Sequence, residues 1–535
     1  MKVVKTMISF AIACLSCIFI KETFLPVSCQ PKESRMNQEK PLLILSLVIA
    51  ATTGIVVAPS LAGDDDYEIP LSAVIMRSDG VGYGTIRNAL SVYCRDIHFT
   101  GSTLGDAVRV MSYQLEAGTT QREVHKAIQG LVSQGMLLMG EANFTAHEVD
   151  GQSGSVWVTD ISANMYAFNN QYASQMLGLV QAHSLSRGAG VVVAIIDSGF
   201  DPTHEAVQGP LTAWQWDFVE NDAFPLDAGD GIDNDNDGEI DDGVGHGTYV
   251  TALVRLVAPE ARLMHLRVLD DEGSSDTFRL SSAIHSAIDH GADVINVSVS
   301  TEFDSSTLSY AIARAKAAGI IVVAAMGNEG VDAPTLFQYP AASPDCYAVC
   351  ATDHLDIKGA FSNFGECADY SVCGVSSLSP TGTLELSTSI LGPMPGGGYA
   401  HWSGTSISSA FLSGAVALVR AQYPEWPNET VPAGAVADTV MSMFDQTAVS
   451  IDALNPNYVG LLGIGRVSVG ETVILGPPAF SFADLDRNGF VGGSDLAMVL
   501  SLWGPCDSSV DCEADFNGNG WIDGPDLTVI FANWN

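Results

Sequence analysis

Two long apolar runs, rich in β-branched residues, constrain the fold of this chain most strongly. Residues 191–196 form the first run and lead into Asp197-Ser198-Gly199, and residues 320–325 form the second and lead through Met326 into Gly327-Asn328. Continuous runs of this kind are typical of parallel strands that helices cover on both faces. Ligands and catalytic groups of open α/β sheets gather at the carboxyl ends of the strands. The sequence therefore predicts an α/β domain with candidate site residues at these strand ends.

Composition and charge narrow the class of protein further. The chain has 535 residues, of which 47% are hydrophobic and only 16% charged, so it can build two to four folding units and does not resemble a disordered chain. Its 62 acidic and 23 basic residues give a net charge of −39, which disfavours nucleic acid as a partner. Eleven of the acidic residues lie between positions 217 and 242, and nine lie between 484 and 526. These clusters predict cation sites, and an acidic surface suited to extracellular media is the alternative.

The N-terminal residues predict export. Residues 41–62 are apolar, follow Lys40 and end in Ser60-Leu61-Ala62, which places small residues where a signal peptidase requires them. We predict that residues 1–62 are a targeting segment cleaved after Ala62, with Met36 as an alternative start of translation, and that the protein is secreted or held at the cell surface. A membrane anchor over residues 41–62 and a lipid on Cys29 are the alternatives.

The cysteines also fit an exported protein. Six of the ten remain beyond the predicted targeting segment and the region that we assign to a propeptide, and an even number favours disulfides. The cluster Cys346, Cys350, Cys367 and Cys373 lacks the C-x-x-C spacing of structural zinc sites, so we predict two disulfides there and keep zinc as the alternative. Cys506 and Cys512 are predicted to close a small loop.

A histidine and a serine further along the chain complete a set of candidate catalytic residues. His246-Gly247-Thr248 opens an apolar run that predicts a helix beginning at the histidine, and Gly404-Thr405-Ser406 precedes a second helix. A serine at a helix N-terminus is often a cap, but the N–H groups that converge there also stabilise an oxyanion. Asp197 alone fits a structural cap equally well. It also fits an aspartic protease, but we find no second Asp-Ser/Thr-Gly in a matching apolar setting.

The chain order Asp197, His246, Ser406, with the motifs D-S-G, H-G-T and G-T-S, resembles the subtilisin-like serine proteases. Chymotrypsin-like enzymes have the histidine first, and Ser408 stands where the G-x-S-x-G motif of α/β-hydrolases needs its last glycine. The resemblance covers roughly residues 170–472 and implies a three-layer α/β fold with a central, mostly parallel sheet. It also implies a serine endopeptidase that acts on protein or peptide substrates through an acyl-enzyme.

The resemblance assigns a role to each site residue. Ser406 is the nucleophile, His246 the general base, Asp197 its orienting partner, and Asn328 a donor to the oxyanion. The residues that bind the backbone of an extended substrate lie on two edge segments, Ser298, Val299 and Ser300 on one wall of the cleft and Gly273 and Ser274 on the other.

The segment between the aspartate and histidine motifs predicts a calcium loop. Residues 230–242 read DGIDNDNDGEIDD, with carboxylates at alternate positions before a glycine. The predicted ligands are Asp233, Asp235, Asp237, Glu239 and Asp241, and Asp242 is an alternative for the last of them. Val244 stands at the twelfth position, where such a loop usually has a bidentate acid. A solvated acidic insert is the alternative, and the position next to His246 predicts that calcium stiffens the rim of the site.

The two ends of the molecule resemble known accessory domains. Residues 63–165 resemble the family's propeptide and activation region, a small α+β domain that helps the protease fold and inhibits it, ahead of a peptidase domain over residues 166–475. After a linker at 476–480, residues 481–535 contain a duplication spaced by 31 residues. It resembles a dockerin type I domain, all-α with two calcium loops, whose predicted ligands are Asp484, Asp486, Asn488, Asp495, Asp515, Asn517, Asn519 and Asp526.

Two functional hypotheses follow. The first is a secreted, calcium-dependent, monomeric serine endopeptidase made as a proenzyme, with its own propeptide as inhibitor and chaperone. The second is a catalytically idle member of the same fold that serves as a calcium-binding surface or docking protein. A cohesin-like module is the partner implied for the tail, and a calcium-stabilised tail without a partner is the alternative.

Overall fold

The computed structural model describes residues 68–105, 107–149, 158–160, 162–333, 335–377, 385–475, 483, 485, 491–505, 514–516 and 520–534. The predicted targeting segment at 1–62 and the linker at 476–480 lie outside the described residues. So do Cys506, Cys512 and the tail ligands Asp484, Asp486, Asn488, Asn517 and Asn519. Within the described residues, no helix has the length and apolar character needed to cross a membrane.

The strands of the described residues are β1 (Glu68–Arg77), β2 (Cys94–Thr103), β3 (Val108–Leu115), β4 (Leu137–Glu148), β5 (Val158–Asp160), β6 (Val192–Asp197), β7 (Trp216–Asp217), β8 (Arg262–Arg267), β9 (Ser274–Asp276), β10 (Val294–Val297), β11 (Val299–Ser300), β12 (Ile321–Ala325), β13 (Tyr347–Thr352), β14 (Ala368–Cys373), β15 (Ile390–Pro393), β16 (Tyr399–Trp402), β17 (Gly504–Pro505) and β18 (Trp521–Ile522).

The α-helices of the same residues are α1 (Tyr83–Leu90), α2 (Gln121–Ser133), α3 (Met165–Asn169), α4 (Tyr172–Met176), α5 (Leu179–His183), α6 (His246–Val257), α7 (Thr277–Asp289), α8 (Ser306–Ala317), α9 (Thr405–Arg420), α10 (Ala433–Thr447), α11 (Val469–Leu475), α12 (Gly493–Ser501) and α13 (Gly524–Ala532).

A seven-stranded sheet forms the centre of the molecule, in the order β14-β13-β12-β10-β6-β8-β7, and all its pairings are parallel. The two apolar runs of the sequence are β6 and β12, as predicted. Val193 and Ile195 of β6 face the helices α6 and α9, whereas Val192, Ala194 and Ile196 face α7 and α8. Successive side chains of a strand point to opposite faces, so a strand buried on both sides must be apolar throughout. The predicted three-layer α/β architecture is confirmed.

An antiparallel sheet with its own core precedes this domain. Its strands follow the order β4-β1-β3-β2, and α1 and α2 cover one face around a core that includes Ile75, Val124 and Ile128. Helix α2 begins with a capping box between Thr120 and Glu123. The short strand β5, which lies within the predicted activation region, pairs with β16 of the following domain.

The tail has the internal symmetry that its repeat predicts. Helices α12 and α13 pack against each other, and Val499 and Ile530, at equivalent positions of the two helices, share one small core. The tail is not all-α, because β17 and β18 form a short antiparallel ribbon beside the helices.

The prediction of two disulfides in the cysteine cluster is wrong. Cys350 and Cys373 are free thiols on the buried strands β13 and β14, whereas Cys367 is disulfide-bonded. Burial raises the pKa of both thiols to about 12. Close spacing in the sequence did not bring these side chains into bonding geometry, because both cysteines belong to a parallel strand pair and lie two residues out of register, Cys350 opposite Ser371 and Cys373 opposite Thr352.

Candidate active site

Asp197 and His246 meet where β6 ends and α6 begins. Both residues are 1% exposed, and the Nδ1 atom of His246 lies 2.7 Å from Oδ1 of Asp197. The same oxygen accepts a hydrogen bond from the Ser198 N–H at 2.8 Å. The indole ring of Trp402 packs edge-on against the imidazole, with ring centroids 5.5 Å apart. A carboxylate at Nδ1 fixes the orientation of the ring and leaves Nε2 as the nitrogen that exchanges protons.

A third buried carboxylate, Asp227, anchors the start of α6 and was not found from the sequence. Its carboxylate accepts hydrogen bonds from the N–H groups of Gly245 and Thr248, each at 2.9 Å, and from Ser198 Oγ at 3.1 Å. Ser198 Oγ in turn accepts from the Gly247 N–H at 2.9 Å. Burial is the main cause of the raised pKa of Asp227. This network positions His246, and Asp227 lies in a loop whose residue types gave no sign of it.

Ser406 and Asn328 lie close together at the start of α9. Ser406 is the second residue of this helix and is fully buried. The Oδ1 atom of Asn328 accepts a hydrogen bond from the N–H of Thr405 at 3.0 Å, and the Gly327 N–H donates to Thr405 Oγ1 at 3.1 Å. Helix α9 packs against α6, which carries His246. The fold thus gathers all four predicted catalytic residues at one edge of the sheet, from two strand ends and two helix starts.

The strand β4 of the N-terminal domain fills the predicted substrate cleft. It pairs antiparallel with β9, where Ala146 lies opposite Ser275 and His147 opposite Ser274, and also pairs with β11, where His147 lies opposite Ser300 and Glu148 opposite Val299. The Glu148 N–H donates to Gly273 O at 2.8 Å. The predicted substrate-binding residues therefore contact an extended segment of the same chain. Among them, Gly273 contributes through its backbone carbonyl.

The N-terminal domain also caps two helices of the catalytic domain. Glu141 accepts hydrogen bonds at the start of α8, from Ser305 Oγ at 2.6 Å and from the N–H groups of Ser306 and Thr307 at 2.9 and 3.0 Å. Asn143 Oδ1 accepts from the Phe278 N–H and from Thr277 Oγ1 at the start of α7, both at 3.2 Å. The first N–H groups of a helix have no partner within the helix, and acidic groups are favoured at this end.

The acidic insert folds into two groups of carboxylates. One group contains Asp233, Asp235 and Asp237, and the other contains Asp230, Asp241 and Asp271, with the oxygen atoms of each group within 4.8 Å of one another. Asp241 therefore does not join the predicted ligand set, because its carboxylate folds back to accept the N–H groups of residues 230 and 231. Glu239 donates its N–H to Asp237 Oδ1 at 2.8 Å. Neither Asp271 nor the neighbouring Glu272 was foreseen, since both lie outside the insert.

Two further acids approach the first group. The N–H of Asn234 donates to Glu272 at 2.7 Å. Burial, followed by repulsion from Asp237, Glu272 and Asp235, raises the pKa of Asp242 to about 6. One buried oxygen of Asp233 and one of Glu272 make no hydrogen bond within the described residues. Such a set of hard oxygen atoms fits a calcium ion.

In the tail, the last predicted ligand of each loop, Asp495 in the first and Asp526 in the second, makes matching hydrogen bonds. Asp495 accepts the N–H groups of Leu485 at 2.7 Å and Gly492 at 2.8 Å, and Asp526 accepts those of Phe516 and Asp523, both at 2.9 Å. Asp515 accepts the Gly520 N–H at 2.8 Å across its own loop. Within the described residues, each repeat therefore makes the same pair of backbone hydrogen bonds to its aspartate.

Comparisons with known proteins agree with this geometry. The sequence profile of the subtilase family matches residues 188–456. The chain is 32% identical to thermitase from Thermoactinomyces vulgaris over 269 residues, which is 48% of this chain and 84% of thermitase. It is 31% identical to subtilisin NAT from Bacillus subtilis subsp. natto over 285 residues, which is 51% of this chain and 66% of that protein, just under two thirds.

Among solved structures, fervidolysin from Fervidobacterium pennivorans, described as a keratinolytic enzyme related to subtilisin, is similar in fold, with a TM-score of 0.58 and 19% sequence identity. The alignment covers 78% of this chain and 62% of fervidolysin. At this identity the likeness concerns the fold alone.

Proposed function

The chain belongs to the subtilase family of serine endopeptidases, and from that premise we propose that it is a secreted, calcium-dependent protease made as a zymogen, with Asp197, His246 and Ser406 as its triad. The observation that carries the proposal is the position of β4, which pairs with both edge strands of the cleft beside all the candidate catalytic residues. An extended chain held between two edge strands is how a protease of this kind binds a peptide substrate.

The proposed mechanism is acyl transfer. Ser406 Oγ attacks the carbonyl carbon of the substrate while His246 Nε2 accepts its proton, and the imidazolium then donates that proton to the leaving amine. Asp197, 2.7 Å from Nδ1, holds the ring and stabilises its charged form. The Asn328 amide and the Ser406 N–H stabilise the oxyanion. Water then attacks the acyl-enzyme with His246 again as the base.

The N-terminal domain is proposed to be the inhibitor of its own protease and a template for folding. It blocks the cleft through β4, and it supplies Glu141 and Asn143 as caps for α8 and α7. Both helices line one face of the central sheet. A domain that completes their N-terminal hydrogen bonds stabilises the same helices whose packing the catalytic domain needs.

The acidic insert is proposed to hold calcium through Asp233, Asp235 and Asp237, with Asp242 and Glu272 close by. A bound calcium ion supplies positive charge that offsets the repulsion among these carboxylates. The insert is connected to two parts of the site. The Gly243 N–H donates to Asp271 O at 3.0 Å, and Gly245 directly precedes His246 at the start of α6. Asp270 to Gly273 lead into the edge strand β9. The ion would therefore stiffen the histidine helix and one wall of the cleft together.

For the tail we propose a calcium-stabilised module that docks onto a cohesin-like partner. Its resemblance to dockerin domains supports this, as do four large side chains that remain exposed on its helices and turns: Leu500, Trp503, Phe531 and Trp534. They come from equivalent positions of the two repeats. The protease itself is proposed to be a monomer outside the cell.

The test is covalent labelling of the full chain, expressed with calcium, by a fluorophosphonate probe after an incubation that permits self-cleavage. Wild type should take the label and Ser406→Ala should not, whereas Ser184→Ala, which changes an exposed serine, should behave as wild type. If folded wild type takes no label at any time, the chain is an idle scaffold and the proposal of an active protease is wrong.

A further inference from the structure

A carboxamide lies among the apolar residues of β10, the middle strand of the central sheet. Asn296 is fully buried and stands between Val323 of β12 and Ile195 of β6. Burying an amide away from water is unfavourable unless its donor and acceptor groups are paired. Both ends of this amide are paired, because Nδ2 donates to Ser298 Oγ at 3.0 Å and Oδ1 accepts from Ser413 Oγ at 2.9 Å. Asn296 therefore connects the end of its own strand to helix α9.

The hydrogen bonds continue from this amide to the backbone of the nucleophile. Ser298 Oγ lies 3.5 Å from Ser409 Oγ, and Ser409 Oγ donates to the carbonyl oxygen of Ser406 at 2.8 Å. A hydroxyl has a single proton to donate, so Ser409, whose proton goes to Ser406, accepts from Ser298. The donors thus point in one direction, from the amide towards Ser406. Every member of this Asn296 network is fully buried: Asn296, Ser298, Ser406, Ser409 and Ser413.

The Asn296 network fixes helix α9 against β10 at two points. Ser409 and Ser413 are four residues apart on α9, so they lie on the same face of the helix about one turn apart. Ser409 is held through Ser298, whereas Ser413 is bound directly to the amide. Apolar contacts are non-directional, but hydrogen bonds need their donors and acceptors at set distances and angles. The network therefore resists a shift of α9 along its own axis.

Ser298 also contacts the chain that occupies the cleft. Its carbonyl oxygen accepts the N–H of Val149, the residue that follows β4, at 3.3 Å. The carbonyl oxygen of Val149 accepts a hydrogen bond from Asn328 Nδ2 at 3.2 Å. Ser298 thus binds the extended chain through its backbone and the helix of the nucleophile through its side chain. This one residue connects the position of a bound chain to the position of Ser406.

We infer that Asn296 is a positioning residue for the peptidase reaction, which holds Ser406 at a fixed distance from the substrate carbonyl. The inference rests on the proposed function of the same site. The hydrogen bonds of Asn296 go to serine hydroxyls and not to the triad, so it acts through Ser298 and Ser413. A displacement of about 1 Å at the reacting atoms can lower the rate by about 10²-fold. Loss of the amide should therefore lower kcat and leave KM nearly unchanged.

The experiment uses the full chain, expressed with calcium and incubated to permit self-cleavage. It measures kcat and KM on a peptide substrate and the rate of fluorophosphonate labelling at Ser406, and labelling carried to completion counts the active sites. Asn296→Ala should lower kcat and the labelling rate by about 10²-fold each, with KM within about twofold of wild type. Ser413→Ala, which removes one partner of the amide, should lower both rates by about tenfold.

Ser442→Ala is the matched control for the serine variant. Ser442 lies on helix α10 and is 3% exposed, and its Oγ atom donates to a carbonyl oxygen, that of Thr439, at 2.8 Å. The substitution therefore removes a buried hydroxyl and its hydrogen bond outside the Asn296 network. It should leave kcat and the labelling rate as in wild type.

A double variant tests whether the members of the network act as a unit. Asn296→Ala and Ser409→Ala remove parts of the same connection, so the combined variant should be about as slow as the slower single variant. Effects on kcat that multiply would mean that the two residues act separately, and they would contradict the inference.

The remaining outcomes separate this inference from the proposed function. A folded Asn296→Ala protein that keeps kcat and the labelling rate within about twofold of wild type, or that changes in KM alone, overturns the inference and leaves the protease assignment intact. A wild type that neither labels nor cleaves peptides overturns both. If Asn296→Ala fails to fold or to mature, the comparison of Ser413→Ala with Ser442→Ala decides the question, and equal kcat values for these two variants overturn the inference.

Discussion

The catalytic and N-terminal domains are both built on sheets, but they are held in different ways. The central sheet is parallel and buried between two helical layers, so its strands are apolar on both faces. The N-terminal sheet is antiparallel, and it docks onto the catalytic domain through main-chain pairing of β4, through polar side chains such as Glu141 and Asn143, and through apolar contacts such as the stacking of Phe144 on Phe303. Hydrogen bonds of that kind can be exchanged for those of another extended peptide or of water. This difference supports the proposal that the catalytic domain is permanent and that the N-terminal domain is released after one use.

The largest expected effect comes from a variant that inactivates the catalytic domain and leaves the docking of the N-terminal domain unaltered. Asp197→Asn should lower the rate of self-cleavage by about 10⁴-fold, because the amide no longer holds His246 in the required tautomer. Intact mass over time measures the rate. Asp289→Asn, on an exposed carboxylate of the same domain, should cleave normally. A fall of less than about tenfold for Asp197→Asn would remove this residue from the triad.

Asn328 contacts both domains, because it binds the end of β4 in the N-terminal domain and the start of α9 in the catalytic domain. Asn328→Ala should lower kcat on peptide substrates by about 10²–10³-fold with little change in KM, which is the magnitude known for removal of one oxyanion-hole donor in subtilisin. Steady-state kinetics of the released protease measure it, with Asn457→Ala at an exposed site as the control. A change in KM alone would mean that Asn328 only binds substrate.

We expect calcium to stabilise the catalytic domain and to leave the docking of the N-terminal domain unchanged. In a Ser406→Ala background, chelation should lower the Tm by on the order of 5 °C, as expected when about 2.7 kcal/mol of ligand stabilisation is lost from a large domain. Hydrogen exchange over residues 230–242 should accelerate at the same time. Asp235→Asn should abolish the calcium response of this segment, and Glu425→Gln, at an exposed site, should keep it. An unchanged exchange rate after chelation would leave the insert as a solvated acidic loop.

The smallest expected effect concerns the docking itself. Glu141→Gln weakens the charged cap of α8 and should loosen the N-terminal domain by about 1.5 kcal/mol, or roughly tenfold. Hydrogen exchange of the β4 amides in Ser406→Ala protein measures this, and Asp79→Asn, on an exposed carboxylate of the same domain, is the control. If β4 exchanges no faster in Glu141→Gln, the cap contributes to folding of α8 and not to docking.

The acidic insert and the cysteine cluster show which structural features a local sequence pattern predicts and which it does not. Alternate carboxylates correctly predicted that Asp233, Asp235 and Asp237 converge, because a tight turn brings such positions together. The same pattern failed for Asp241, and it gave no hint of Glu272, which a different loop supplies. The cysteines failed for a related reason, since strand pairing decides which side chains meet. Patterns within a few residues predict local geometry, and partners from distant segments depend on the whole fold.

The sequence by itself determined the buried strands β6 and β12, the helices that begin at His246 and just before Ser406, and the family to which these motifs point. Each depends on the local periodicity of apolar residues or on residue types at fixed spacing. Only the tertiary structure decided that Asp227 anchors the histidine helix, that Glu141 and Asn143 cap two helices far along the chain, and that Val149 faces Asn328. The physical reason is that strand register and helix-end contacts between distant segments are set by the packing of complete domains.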